Sequence, residues 1–525
     1  MELTRRDLVK MSVMGGAALA LPLERAARGS VLAANRIAES ALPAPFSVPF
    51  VRPPVLAKYR SGADADYYHL SMQATRVEIV PGRPTTMWGY GGRVPGPTIQ
   101  VRRNRPVVAR FVNNLPTRHP VLGYTPWTSL HLHGSASLPE YDGYASDVTN
   151  PGQWKDYQFP NYQPARTLWY HDHGMHHTAE NVGMGLAGMY IVTDELEQSL
   201  PIPHGTFDVP LILSDAMFNS DGSLLFDDND GDGFYGDVVL VNGRPWPKMR
   251  VQRRKYRFRI LNASPSRSYR LSLSTGDAMR VIATDGGLMP RPATVTSIRH
   301  GNAERYEVVI DFAKYPVGTR VVLRNSSLRN NVDFTHTDKV MAFDVVGGTF
   351  STAGNTVPDQ LYPGQPTMAL EESAATRVRT FDFVKDGGQW TINEGTWEDV
   401  VRSGYTKVLA DPLVDAVEIW ELRNPSGGWH HPAHIHFVDF KVLSRNGRPP
   451  EPYERGAKDV VLLGENQVVR VLVKFDHGQG KYMMHCHNLV HEDHDMMGQF
   501  EIIDPNVDPH DPFDSPAQWL PAPPL

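Results

Sequence analysis

His485-Cys486-His487-Asn488-Leu489-Val490-His491-Glu492-Asp493-His494-Asp495-Met496-Met497 sets the only cysteine of the chain between two histidines, with a further imidazole at His491 and a thioether at Met496. On a strand, neighbours point to opposite faces and residues i and i+2 share one. Cys486 therefore faces one way, and His485 and His487 the other. One thiolate, two imidazoles and a distant thioether form the trigonal donor set of a blue-copper electron-transfer site. His491 supplies one imidazole locally. The other is expected from His431, in His431-Pro432-Ala433-His434-Ile435-His436. Cys486 would then touch one metal while its two neighbours touch others.

Working outward, His-x-His recurs as His131-Leu132-His133, His171-Asp172-His173 and His434-Ile435-His436. Each copy can aim two imidazoles at one point, or at two neighbouring metals. A single copy is a weak signal, because histidine is common in polar loops. Four copies in two tight groups, from a chain with 21 histidines among 525 residues, are not a chance pattern. Eight imidazoles and a thiolate exceed what one metal needs, so several metals close together are expected, with redox chemistry as the reason.

The length allows two to four domains. Hydrophobic residues make up 41% and the formal net charge is −6, which gives ordinary cores and no basic signature for nucleic acid. No apolar run reaches the roughly 18 residues of a membrane span. With 44 Gly and 43 Pro and little helical periodicity, short strands joined by turns are expected, an all-β chain. Strand-like segments such as Arg76–Val80, Val107–Val112, Val238–Val241 and Tyr256–Leu261 fall in units at about 45–195, 205–350 and 370–505, each the size of a β-sandwich. A Gly-, Thr- and Pro-rich linker covers 348–367, and a Pro-rich, irregular tail is expected at 506–525. The metal motifs lie in the first and third units, so their cluster is expected at that interface, with the middle unit a spacer and a wall of the substrate pocket. Asp228-Asn229-Asp230-Gly231-Asp232-Gly233 starts like a calcium loop, but position 12 is Val239 where a bidentate Glu is needed, so it reads as a solvated acidic turn.

Residues 1–34 hold Thr4-Arg5-Arg6-Asp7-Leu8-Val9-Lys10 and an apolar stretch from Met11 to Leu23. This reads as a twin-arginine export signal. It makes the twin-arginine machinery a partner and the periplasm, cell surface or exterior the destination. One cysteine permits no internal disulfide.

The motif set resembles that of the multicopper oxidases, the laccase-like family, in its bilirubin oxidase and spore-coat laccase branch. The resemblance rests on Trp429 to Phe440, His485 to Met497, and Trp169-Tyr170-His171-Asp172-His173-Gly174-Met175-His176 with Thr178-Ala179-Glu180-Asn181. Leu240-Val241-Asn242-Gly243 and Tyr256 to Ser264 are similar to the family's middle domain. It implies three cupredoxin-like β-sandwich domains and four coppers per chain. The type 1 copper would take His431, Cys486 and His491 with Met496 axial, and the type 2 copper His131 and His434. The type 3 pair would take His133, His171, His173, His436, His485 and His487. His176, His177, His430 and His494 fall beside these ligands but off the pattern.

The resemblance further implies an oxidase that takes single electrons from a small aromatic reductant and passes them through Cys486, reducing dioxygen to water. Asp142 and Glu492 match acidic positions of that branch and are candidate proton carriers, although Asp142 also suits a plain turn. Trp429 is a candidate face for a phenolic, aminophenolic or tetrapyrrole-like substrate docking beside His431, the ligand expected nearest the surface. His430 replaces a small residue there and is expected to change the pocket's charge near neutral pH. A cuprous-ion oxidase would use the same ligands but usually carries a Met-rich insert, and the 18 Met here are scattered. A phenoxazinone-forming oxidase is a special case of the first reading. A non-catalytic copper-binding or coat protein would need only a mononuclear site, and a copper nitrite reductase needs no set of eight histidines.

Overall fold

The computed structural model describes residues 35–329, 331–348, 352–476 and 478–525. The twin-arginine segment lies outside the described residues. Strands dominate, and each described α-helix is five or six residues long. None is long and apolar enough to cross a membrane.

The sheets come in three successive pairs along the chain: six and four strands, then seven and five, then five and four. Each pair encloses a core. In the first, Leu70 and Phe111 of the larger sheet meet Val101 and Tyr190 of the smaller. In the second, Val209 and Leu211 meet Leu271 and Phe343. In the third, Phe381, Trp420 and Val471 meet Ala433, Val461 and Met484. The chain is thus all-β, three sandwiches in series. Ile99–Arg102 shows why the strands form, with Ile99 and Val101 buried and Gln100 and Arg102 exposed. Val238–Val241 and Val460–Leu463 are apolar throughout because both of their faces are covered.

The tail is less irregular than its prolines suggest. Gln518–Trp519 pairs antiparallel with Trp154 and Gln153 of the first sandwich, and Arg110 donates to the Pro523 carbonyl. This two-residue strand lies at the edge of its sheet, with prolines only beside it, at Pro516 and Pro521.

Candidate metal centre

Two antiparallel strand pairs carry the motifs. On Leu130–His133, His131 lies directly opposite His171 of Arg166–Asp172. On His431–Ile435, His434 lies directly opposite His485 of Gly480–Cys486. His173, His436 and His487 follow these strands. The first and third sandwiches press the two pairs together, so that His133 stacks on His434 at 3.8 Å and His131 lies 4.1 Å from His436. All eight imidazoles are buried. Donor atoms of His131, His133 and His171 converge, as do those of His131, His434 and His436, and those of His173, His436 and His485. His487 closes the remaining side, with ring centroids 5.0 Å from His133 and 5.3 Å from His171.

The far nitrogens show what the near ones are for. His131 Nδ1 donates to the Asp142 carbonyl, His171 Nδ1 to the Asp172 carbonyl at 2.7 Å, and His434 Nδ1 to the Asp459 carbonyl at 2.8 Å. Each Nε2 is then a bare lone pair in a buried place, without a partner. His133 is turned round: Nε2 meets Asp459 Oδ1 at 3.1 Å and Nδ1 is unpartnered. His436 Nδ1 donates to Asp142 Oδ2 at 2.8 Å, and His485 Nδ1 lies 2.9 Å from Glu492 Oε2. Their Nε2 atoms consequently face each other at 3.1 Å, and His173 Nε2 reaches His485 Nε2 at the same distance. Lone pairs aimed at one another in a dry interior repel unless a cation lies between them. Burial holds His131, His171 and His434 well below the usual histidine pKa and brings His173 down to about 4, which keeps these four in the neutral form that binds metals. The donor set fits several closely spaced metal ions.

Three carboxylates support the cluster. Asp142 ends a single 3₁₀ turn, Pro139–Tyr141, so it is a turn residue whose side chain also orients His436. Burial pushes its carboxyl well above the usual range. Burial alone would raise Glu492 too, but His485 and His173 outweigh it and hold the carboxyl low. Asp459 reaches both His133 and His434, and is itself gripped by Arg305 through two 2.6 Å hydrogen bonds. Arg305 belongs to the middle sandwich, on Arg305–Asp311. Lys458 adds a buried bridge to Asp285 at 2.9 Å and Glu304 at 3.1 Å. The middle sandwich is therefore more than a spacer: it positions a carboxylate at the cluster.

Cys486 turns the other way, as strand alternation predicts. Its Sγ lies 3.4 Å from His431 Nδ1 and 3.7 Å from His491 Nδ1, and those nitrogens are 3.3 Å apart. The helix Leu489–Asp493, capped by the Asn488 side chain on Val490 N–H, folds His491 back toward the thiol. Met496 shares the apolar core around Cys486, whereas Met497 packs with Tyr144 and Trp397 elsewhere. Burial pushes the Cys486 thiol far up, so a thiolate is stable there only beside a cation.

The surroundings of His491 correct three expectations. Trp390 stacks on its ring at 3.7 Å, and its Nε2 meets the Asp232 carbonyl at 3.2 Å. The turn at Asp228–Gly233 is thus half-buried packing around the thiol pocket, with the Gly231 carbonyl accepting from Trp390 Nε1 and Asp232 paired with Lys385. The small cavity beside Trp429 is lined by His491, Asn488, Tyr235 and His430. His431 and His491 are both wholly buried, and only His491 lines the cavity, so the cavity meets the thiol pocket at His491. Burial, then Arg299, holds His430 down to about 4, so it is uncharged near neutrality. Trp429 is half-buried and edge-on to Trp390 at 5.3 Å. Of the other off-pattern histidines, His177 stacks on Tyr124, His176 meets the Asp493 carbonyl and His494 pairs with Asp228.

Sequence reasoning missed Asp459, Trp390 and Arg305. Lys458-Asp459 before the wholly apolar Val460–Leu463 was the one available hint, since a charged pair entering a buried strand needs a reason.

Family models described as multicopper oxidase match residues 71–197, 192–343 and 372–506. The bilirubin oxidase of Albifimbria verrucaria is 42% identical over 479 residues, covering 87% of this chain and 81% of that protein. A laccase of Bacillus subtilis is 33% identical over 516 residues, covering 86% and 98%. Among solved structures, a laccase from Pediococcus acidilactici superposes with a TM-score of 0.77 at 30% identity, covering 88% and 95%. The McoA multicopper oxidase of Aquifex aeolicus gives 0.75 at 30%, covering 87% and 99%.

Proposed function

This chain belongs to the multicopper oxidase family, an oxidoreductase that uses dioxygen, and we propose that it oxidises bulky, electron-rich aromatics one electron at a time. The observation that carries the proposal is the set of eight inward-facing imidazoles joined to the chain's only thiol through His485-Cys486-His487. Cys486, His431, His491 and Met496 would hold a type 1 copper, His131 and His434 a type 2 copper, and the other six histidines of the cluster a type 3 pair, four coppers in all. The convergence of His173, His436 and His485 donor atoms, and the nearness of the His487 ring to His133 and His171, support dividing the type 3 ligands into those two sets of three. When bound, copper would supply one-electron acceptance at the thiolate and four-electron reduction of dioxygen at the histidines.

The chain's own residues do the rest. His485-Cys486-His487 joins the two sites by covalent bonds alone. Asp142 and Glu492 are proposed to bring the protons that dioxygen reduction consumes: both are buried against cluster imidazoles. Trp429 offers the aromatic face beside His491. The twin-arginine segment is proposed to send the folded protein out of the cytoplasm.

Metal analysis of copper-loaded protein, followed by turnover of phenols, aminophenols, bilirubin and Cu(I), tests this reading. Four coppers with aromatic turnover are expected. One copper, or zinc alone, would sink it, and exclusive use of Cu(I) would replace it with a cuprous-ion oxidase. A reporter fused to residues 1–34 is expected to leave the cytoplasm only when Arg5 and Arg6 are intact.

A further inference from the structure

In the middle sandwich, Tyr269–Leu273 pairs antiparallel with Ser297–His300, and the register sets Arg270 directly opposite Arg299. Like charges directly opposite destabilise a strand pair. The two arginines line a cavity of about 210 Å³ together with Arg329, His430 and Gly464. Glu465 is the only acid in that wall, and it lies 2.8 Å from Arg329. Arg299 Nε is buried with no hydrogen-bond partner. His430 lines this cavity and also the smaller one that reaches Trp429 and His491. A chain with a net charge of −6 thus concentrates positive charge beside the proposed electron-donor site, at a cost in local stability.

We propose that the arginine pocket binds the carboxylate or sulfonate of an aromatic reductant, so that the enzyme selects anionic aromatics. This rests on the aromatic-oxidase reading above. Guanidinium forks bind two oxygens of such an anion with paired, charge-assisted hydrogen bonds. A ring held on that anchor extends past His430 toward Trp429. Each phenol loses one electron and its phenolic proton, giving a phenoxyl radical. Four such losses, with the four protons, convert one dioxygen to two waters.

Syringate and methyl syringate carry the same phenol and differ by one charge. In the copper-loaded enzyme, the double variant Arg270→Gln/Arg299→Gln should lower the syringate-to-ester ratio of kcat/KM by about tenfold, through KM for the acid. High salt should shrink the same ratio in the unmodified enzyme. Arg329→Gln, on an exposed side chain, should give a smaller drop in the same direction. Unchanged ratios in all three overturn the proposal. Calorimetric binding of trimethoxybenzoate, which has no phenol to lose, separates the two claims. Binding that weakens about tenfold in the double variant, with neither phenol oxidised by the unmodified enzyme, retires the oxidase reading and keeps the pocket. Oxidation of both phenols without trimethoxybenzoate binding overturns the pocket.

Discussion

The histidine cluster and the thiol pocket share one strand, yet they are built differently. At the cluster, two sandwiches supply the imidazoles and the middle one reaches in through Arg305, which grips Asp459. Every nitrogen that has a partner is held by a carboxylate, a carbonyl or another imidazole of the cluster. At the thiol pocket, the third sandwich supplies all the donors. Apolar side chains and Trp390 surround them, and no carboxylate lies within bonding distance of Cys486 or His431 among the described residues. The difference follows from what each site must exchange. A site that consumes protons needs carboxylates within reach and fixed imidazole tautomers. A site that passes single electrons is better served by a dry pocket with few groups that can titrate.

Cys486→Ser tests the division most severely. Loss of the thiolate should abolish the intense visible band and cut substrate oxidation roughly a thousandfold or more, the scale of removing a group needed in every turnover. Metal analysis should still find copper on the histidines. Loss of all copper would mean that the sites are one unit. Glu492→Gln comes next: dioxygen reduction should slow about 10–100-fold, as when a carboxylate supporting a ligand is lost, while the visible band persists. A normal rate would show that Glu492 carries no proton. Arg305→Gln probes the third contributor, and copper retained by the cluster after chelator dialysis should fall about tenfold, sparing the thiol site. Equal loss at both sites would count as general destabilisation. Met496→Leu should raise the reduction potential of the thiol site by roughly 60 mV or more, tenfold for a one-electron couple, because the thioether stabilises the oxidised ion. An unchanged or lower value would exclude Met496 as the axial group. The smallest effect belongs to Trp429→Ala, which should slow oxidation of large aromatics about fivefold, the worth of one aromatic contact. Reduction of dioxygen by electrons fed from an electrode should fall less. Equal losses would mean that Trp429 serves the fold.

Much of this was legible in local pattern. His-x-His on a strand states its own geometry, and Cys486 between two histidines states that two sites adjoin. Val107–Val112 and Tyr256–Leu261 announced strands through their apolar alternation and β-branched content, and both lie within observed strands. What escaped detection depends on pairing between distant segments. Asp232 meets His491 through a backbone carbonyl, which no side-chain pattern encodes. Arg270 and Arg299 are 29 positions apart, and only the strand register makes them neighbours. His430 looked like a pH-sensitive charge until its burial and its arginine neighbours were seen. His431 was expected to reach the surface and is wholly buried, as are Cys486, His491 and Met496, because sequence carries no depth.

The terminal strand Gln518–Trp519 lays the end of the chain back on the first sandwich, after the third is complete. The histidine cluster is a chelate cut in two, with four imidazoles on each half. Its grip depends on the effective concentration of one half around the other. A tether at each end of the third sandwich raises that concentration by limiting how far the halves can drift apart. The hold on copper is therefore set in part by a proline-rich strap that touches none of the ligands.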